Sequence, residues 1–428
     1  WGQSEPYNNL CPIVNGKRCV TGCVATAICQ IMYAHKYPSK GIGSHTYISE
    51  TNELALSIDF EATTYDWDNM LPNYYQNYDT RQATAVATLM HHVGVAANMD
   101  YDPGVSGANS AYSLQSLVKH FDYDAGIIVL SKGHMPEHEL LNTLATDLQA
   151  GRPIFVSGRT RHNEGHAFVC DGMQSDGFLH INWGWNGWGN GYFATSALDP
   201  EQQGTGGSAS DLAFSENVQF FTKIQPNKGG TYTQQGLIAD KLKRYNDQVI
   251  NRADTMYLSM INLQNPTLTP HFGRTELHIY DASKQLTSVM PLAGTELLPG
   301  YYYSYYYIYE PIPANLKAGE YTMEVFYRDS ATNTISPITF KDFGRIEIPV
   351  TITEQTITFG EIPQSAIKSI QPMSACDVSN IIDTKSWILD MYSSSFYGTM
   401  FLEDEAYVRC FIHSNSSTSI IGSYVFDS

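Results

Sequence analysis

The chain of 428 residues carries 43 acidic against 25 basic side chains, a formal net charge of −18, and 43% of it is hydrophobic. At roughly 150 residues per domain this is two to four domains with ample material for buried cores, which excludes a disordered chain. The charge repels nucleic acid and anionic lipid, and no run approaches the ~20 apolar residues of a bilayer crossing, so proteins or small molecules are the expected partners.

Near the start, Val24, Ala27, Ile28, Ile31 and Met32 recur at helical spacing, which predicts a buried helix opening at Thr21-Gly22-Cys23. Helical patterns follow over 82–93, 113–122 and 137–150; the last carries Leu140, Leu141, Leu144 and Leu148 and is stopped by Gly151 and Pro153. Beyond Pro153 short apolar runs separated by Gly and Asp predict strands over 154–157, 166–170 and 178–182. A helical lobe thus precedes a sheet lobe in an α+β domain over residues 1–225. The composition Pro226-Asn227-Lys228-Gly229-Gly230 reads as a linker, after which Tyr, Thr, Val and Ile alternate, as in 276–280 and 321–326. We expect an all-β sandwich over 226–350, a break near Pro349-Val350-Thr351, and a smaller β-rich module over 351–428. Seven tyrosines between Gly300 and Tyr309 predict a strand that pairs amphipathic rings across a sheet; a carbohydrate platform is the alternative.

Seven cysteines, at 11, 19, 23, 29, 170, 376 and 410, leave at least one thiol unmatched. Cys11 with Cys19 and Cys376 with Cys410 are candidate pairs whose connectivity sequence does not settle, whereas Cys29 and Cys170 read as free and buried. No spacing is the C-x-x-C of a zinc knuckle, and no metal or cofactor is expected. No basic-then-apolar leader opens the chain at Trp1, so we expect either a cytoplasmic protein or one whose leader has been removed.

Cys23 sits where the dipole of the first helix is positive, which is expected to stabilise a thiolate, and its N–H can donate to an oxyanion. His166 enters an apolar strand within Glu164-Gly165-His166-Ala167-Phe168-Val169, where an imidazole needs a reason to be present. Asn182 follows, at the head of a Gly- and Trp-dense run to Tyr192. Its amide is expected to accept from the histidine ring and fix the tautomer that faces the thiol, with a neighbouring indole excluding water. The order Cys, His, Asn is close to the ~130–150 residue separation typical of papain-like proteases.

Three words, Thr-Gly-Cys-Val-Ala-Thr-Ala (21–27), Gly-His-Ala-Phe-Val-Cys-Asp-Gly (165–172) and Asn-Trp-Gly-Trp (182–185), together with Trp1-Gly2-Gln3 and Pro6-Tyr7-Asn8, closely resemble the streptopain-type cysteine peptidases over residues 1–225. The resemblance implies a papain-like fold, Cys23 as nucleophile, His166 as acid and base, and Asn182 with Trp183 holding the histidine. It further implies that Trp185 borders the oxyanion region, that Gly204, Thr205, Gly206 and Gly207 form a loop at the substrate cleft, and that Met99 to Tyr101 line its unprimed side. Protein or peptide substrates, secretion or display on a bacterial surface, and an inhibitory N-terminal prodomain in the zymogen follow from the same resemblance, by which the chain reads as the processed form. The β-rich remainder resembles immunoglobulin-like modules on relatives from Bacteroidetes-type bacteria. One departure is Lys17, six residues before Cys23, where papain-like enzymes often place an oxyanion glutamine.

Two other readings compete. His162-Asn163-Glu164-Gly165-His166 has histidines at i, i+4, but a zincin needs H-E-x-x-H on a helix; His134 to His138 contains a proline, and Asp100 to Gly104 lacks the ligand alternation of a calcium loop. A surface adhesin with an inactive protease-like domain would suit the β modules, but the chain keeps Cys23, His166 and Asn182.

Overall fold

The computed structural model describes residues 1–133, 135–200, 213–229, 236–341, 343–363, 397–404, 407–414 and 417–425, with side chains up to residue 363. The chain divides into two units, Trp1–Ile362 and Pro363–Ser428. In the second, the strands Tyr397–Asp404, Tyr407–Ser414 and Ser417–Val425 form an antiparallel sheet.

Helix α1 (Cys23–His35) buries Val24 to Cys29, Ile31 and Met32 on nearly every side, so it is a central helix rather than a surface one. Around it stand α2 (Thr80–Ala96), opened by a capping box between Asp79 and Gln82, and α3 (Ser110–His120), capped by the Asn109 side chain. Helix α4 (Glu137–Gln149) lies apart from these three. The six-stranded sheet contains β1 (Ile128–Ser131), β2 (Ile154–Arg159), β3 (Gly165–Met173), β4 (Leu179–Asn182), β5 (Gly191–Phe193) and β6 (Glu216–Thr222), in the order β1-β6-β2-β3-β4-β5 and antiparallel throughout.

Strand alternation splits the core in two. Val129, Phe155, Ala167, Val169 and Phe221 join the core around α1, whereas Leu130, Val156, Phe168, Cys170 and Phe220 join a second core with α4. The helices and strands expected from the sequence are present: the first two helices and the strands at 154 and 166 run longer than expected, the helix expected over 113–122 is shifted to 110–120, and those expected over 137–150 and 178–182 end or begin one residue inside. Strands β1 and β6 were not anticipated, and neither was the hairpin of Ser44–Ile48 with Ala55–Asp59.

Residues 238–359 form two further sheets around a separate core. One is built on β7 (Lys241–Arg244), β8 (Thr255–Gln264) and β11 (Tyr302–Pro311). The other is built on β9 (His271–Asp281), β10 (Leu286–Leu297), β12 (Gly319–Asp329), β13 (Ile348–Ile352) and β14 (Thr356–Phe359). The break expected at Pro349 to Thr351 is corrected: this segment lies inside β13, paired with β12 on one side and β14 on the other. Its alternation of buried Ile348, Val350 and Ile352 with outward Pro349 and Thr351 is that of a sheet strand, not a linker.

The sandwich is seamed onto the free edge of β1. Val129 N–H donates to the Pro266 carbonyl at 2.8 Å, Gln219 Nε2 to that of Pro299 at 3.0 Å, and Ser131 Oγ to that of Gly300. Leu268 is buried in the core around α1. This covers an edge that would otherwise invite pairing with another chain. Gly300 has φ +73°, and a β-carbon there would stand 2.7 Å from Val129 Cγ1. Gly300→Val is therefore expected to lower the thermal midpoint of the intact chain by several degrees, at ~2–4 °C per kcal/mol. An unchanged midpoint in differential scanning calorimetry would mean that the seam contributes nothing to stability.

Candidate active site

Cys23 is the first residue of α1, reached through Gly22 at φ +84°. Only glycine fits there, because a β-carbon would stand 2.6 Å from Met99 Sδ. The loop before it is tied down by Val20 N–H to the Asp102 carbonyl at 3.2 Å and by Ser106 Oγ to the Val20 carbonyl at 2.8 Å. Met99 and Tyr101 are wholly buried beneath this loop. The expectation that they line the substrate cleft is corrected: their side chains pack against Gly22 and Gly94 and present no surface to a ligand.

His166 is the second residue of β3, opposite Gly158. Its Nε2 lies 2.9 Å from the Trp183 carbonyl oxygen. A carbonyl only accepts, so Nε2 carries the proton and Nδ1 is left as the basic nitrogen. The amide of Asn182 was expected in this role, and the structure corrects it. Asn182 Oδ1 instead accepts from Gly184 N–H at 3.1 Å, closing the turn that follows β4, so the main chain one residue on holds the ring.

The rest of the Trp-Gly run builds a cage. The Trp185 indole stacks on the imidazole at 4.5 Å and 20°, the Phe214 ring stands at 5.1 Å, and Trp183 and Phe168 close the far side at 6.2 and 5.9 Å. Trp183 and Trp185 are themselves buried. Gly184, Asn186, Gly187 and Gly189 all take positive φ, which accounts for the glycine density of the run. A β-carbon on Gly184 would meet Thr26 of α1 at 3.1 Å, so this turn rests directly on the helix that carries Cys23.

Burial dominates the electrostatics of both groups. It pushes the Cys23 thiol up from its ordinary value, partly countered by the N–H groups of Ala167, Val24 and Cys23 itself. The expectation of a thiol lowered by the helix dipole is thus corrected, because loss of water outweighs the helix end. Burial also pushes His166 down to about 4. With the thiol raised and the imidazole lowered, both groups are neutral at pH 6 to 7. Phe214 is part of the shield: its carbonyl sits where a β-carbon on Gly158 would come within 2.3 Å. Phe214→Ala hydrates the ring and moves the His166 pKa up toward 6.5. The protonated fraction of His166 then rises more at pH 5 than at pH 7, so casein cleavage is expected to fall more at pH 5 than at pH 7. Equal losses at the two pH values would contradict this.

One residue that sequence reasoning missed is Gln3. Its carbonyl accepts from Thr21 N–H at 3.1 Å, two residues before Cys23, while the Trp1 carbonyl accepts from Asn186 N–H at 2.8 Å. Gly2 lies against the Asn186 side chain, where a β-carbon would come within 2.6 Å. Residues 1–3 therefore bridge the loop before Cys23 and the Trp turn. Gln3 is 2% exposed, and its Nε2 has no hydrogen-bond partner. An unpartnered buried amide is costly unless a ligand satisfies it. Lys17, at the position where papain-like enzymes often carry a glutamine, lies exposed in a surface hairpin.

Gly204 to Gly207 lie outside the described residues, as does any pairing of Cys376 with Cys410. Cys11, Cys19, Cys23, Cys29 and Cys170 are free thiols. His162 falls in the turn before β3, so its spacing from His166 does not give a shared helical face. Among the described residues no helix is long and apolar enough to cross a membrane.

Residues 1–193 match the peptidase C10 family model. Streptopain of Streptococcus pyogenes serotype M1 is 33% identical over 225 residues, spanning 49% of this chain and 56% of that protein. The thiol protease/hemagglutinin PrtT of Porphyromonas gingivalis is 33% identical over 230 residues, 53% of this chain and 26% of PrtT. The chain thus spans about half of streptopain and about a quarter of PrtT. Among solved structures, the active wild-type interpain A cysteine protease of Prevotella intermedia is 36% identical, with a TM-score of 0.46, covering 52% of this chain and 90% of that one.

Proposed function

Because the chain belongs to the peptidase C10 family of cysteine peptidases, we propose that it is a secreted endopeptidase in which Cys23 is the nucleophile and His166 its acid and base. The observation that carries this reading is the tautomer: with the Nε2 proton committed to the Trp183 carbonyl, Nδ1 is free to accept the Cys23 proton. The thiolate then attacks the scissile carbonyl carbon, forming a C–S bond and an oxyanion. The Cys23 N–H and the Gln3 amide N–H groups donate to that oxygen. Imidazolium returns its proton to the departing amine, and His166 next deprotonates the water that hydrolyses the thioester.

In this reading Trp183 orients the imidazole through its backbone, Asn182 shapes the turn that presents that carbonyl, and Trp185 keeps water from the ring. The domain takes a papain-like fold over residues 1–225, an immunoglobulin-like sandwich follows over 226–362, and a smaller β module comes after it. By the same reading substrates are proteins or peptides with an apolar residue two positions before the cut, the loop Gly204 to Gly207 borders the cleft, and an N-terminal prodomain restrains the zymogen. Casein digestion by the intact chain is expected to require a reductant and to be indifferent to a chelator. Abolition by the chelator, or no cleavage under reducing conditions, would overturn the proposal.

A further inference from the structure

From Tyr305 to Tyr309, strand β11 alternates. Tyr306 and Ile308 point into the sandwich core, and Tyr305, Tyr307 and Tyr309 point out, at 55%, 51% and 66% exposure. Their cross-strand partners on β8 are Ile261, Ser259 and Tyr257, and Tyr257 in turn neighbours Tyr245, just beyond β7. The rings form one continuous surface. Tyr305 and Tyr307 are parallel to within 8° at 5.9 Å, Tyr257 meets Tyr307 at 5.9 Å and Tyr309 at 5.5 Å, and Tyr245 stacks on Tyr257 at 4.5 Å. Lys243 Nζ stands 4.6 Å from the Tyr245 ring centroid, and Lys241 faces the same way across from Ile261.

A contiguous exposed aromatic face of this kind marks a binding surface rather than ordinary surface scatter. Its chemistry selects among occupants. Apart from Ile261 it has no aliphatic anchor, which disfavours a lipid surface or the apolar core of a protein interface. Nearly every side chain has a flat apolar body and a hydrogen-bonding tip, and the tips recur at the strand's two-residue repeat, ~6.7 Å. That pattern suits a linear polymer whose units each offer an apolar C–H face and a rim of hydroxyls.

We propose that the outer face of β7, β8 and β11 is a polysaccharide-binding platform on which sugar rings stack against Tyr245, Tyr257, Tyr305, Tyr307 and Tyr309, with Lys241 and Lys243 donating at its edge. This site is separate from the peptidase centre and does not rest on the reading of Cys23. The test is affinity electrophoresis of the intact Cys23→Ala chain through native gels cast with neutral polysaccharides (xylan, galactomannan, β-glucan) and with acidic ones (polygalacturonate, chondroitin sulfate). At least one polymer is expected to retard the chain, and Tyr305→Ala/Tyr307→Ala to weaken that retardation on the order of tenfold. Because both rings are exposed, the thermal midpoint is expected to stay put. Lys241→Ala/Lys243→Ala separates the sources: it weakens binding to acidic polymers and spares neutral ones. Migration unaffected by every polymer, or retardation unchanged in the tyrosine variant, would overturn the proposal. So would a homodimer in analytical ultracentrifugation that the tyrosine variant dissolves.

Discussion

Replacing Cys23 by alanine is expected to remove casein cleavage, with a loss in kcat/KM on the order of 10⁴-fold or more, as for a nucleophile whose partners act only through it. The substitution deletes one sulfur atom from the first residue of a helix whose remaining apolar face is fully buried, so the fold is expected to survive. His166→Ala is expected to match the loss rather than add to it, since base and nucleophile act as a unit. A Cys23→Ala chain that still cleaves casein at a measurable fraction of the native rate would move the chemistry to another group.

Gln3→Ala is the second large effect. If the buried Nε2 donates to the oxyanion, its removal is expected to lower kcat by about 10²–10³ with KM nearly unchanged, because the bond forms only once charge has developed on the substrate oxygen. A merely structural Gln3 behaves differently. The main-chain bond from Thr21 N–H to the Gln3 carbonyl persists in the alanine variant, so the nucleophile loop keeps its anchor, and loss of packing would raise KM or lower the thermal midpoint instead. Gln3→Glu sharpens the distinction: a carboxylate accepts but does not donate, so near-native kcat in that variant would count against the oxyanion role.

The helical lobe and the two candidate residues Cys23 and His166 were legible because their signals are local. Helix α1 announces itself by apolar spacing, and Cys23 and His166 stand in recognisable words of six to eight residues. Gln3 was not legible, although Trp1-Gly2-Gln3 had been noticed. Its position beside the loop before Cys23 arises from a contact with Thr21 and from the approach of Gly2 to Asn186, which no spacing rule joins. Asn182 and Trp183 show a subtler failure. Sequence reasoning attends to side chains, whereas the group that meets the imidazole is the backbone carbonyl of Trp183 and the Asn182 amide is spent on the turn.

Strand context accounts for the other differences. Pro349 was read as punctuation, yet it takes an outward position in β13 with its carbonyl accepting from Gly360 N–H at 2.7 Å. Met99 and Tyr101 carry polar or adaptable side chains that suit a cleft, but the loop they support needs buried bulk beneath Gly22. Direct reversal came at the thiol, where a helix N-terminus argues for a lowered pKa and burial argues for a raised one. The sequence reveals the helix end, while the loss of water around the thiol depends on the fold bringing β3 to it, where the Ala167 N–H reaches the sulfur.

The most direct test of the central claim is intact-mass analysis of the reduced chain treated at pH 6 to 7 with the thiol-directed epoxide E-64, followed by peptide mapping. The account predicts one adduct, on Cys23, formed in step with the loss of casein cleavage and absent from Cys23→Ala, while Cys11, Cys19, Cys29 and Cys170 stay unmodified in their buried sites. Full inactivation with the adduct on a different cysteine, or stoichiometric labelling of Cys23 that leaves casein cleavage intact, would contradict it.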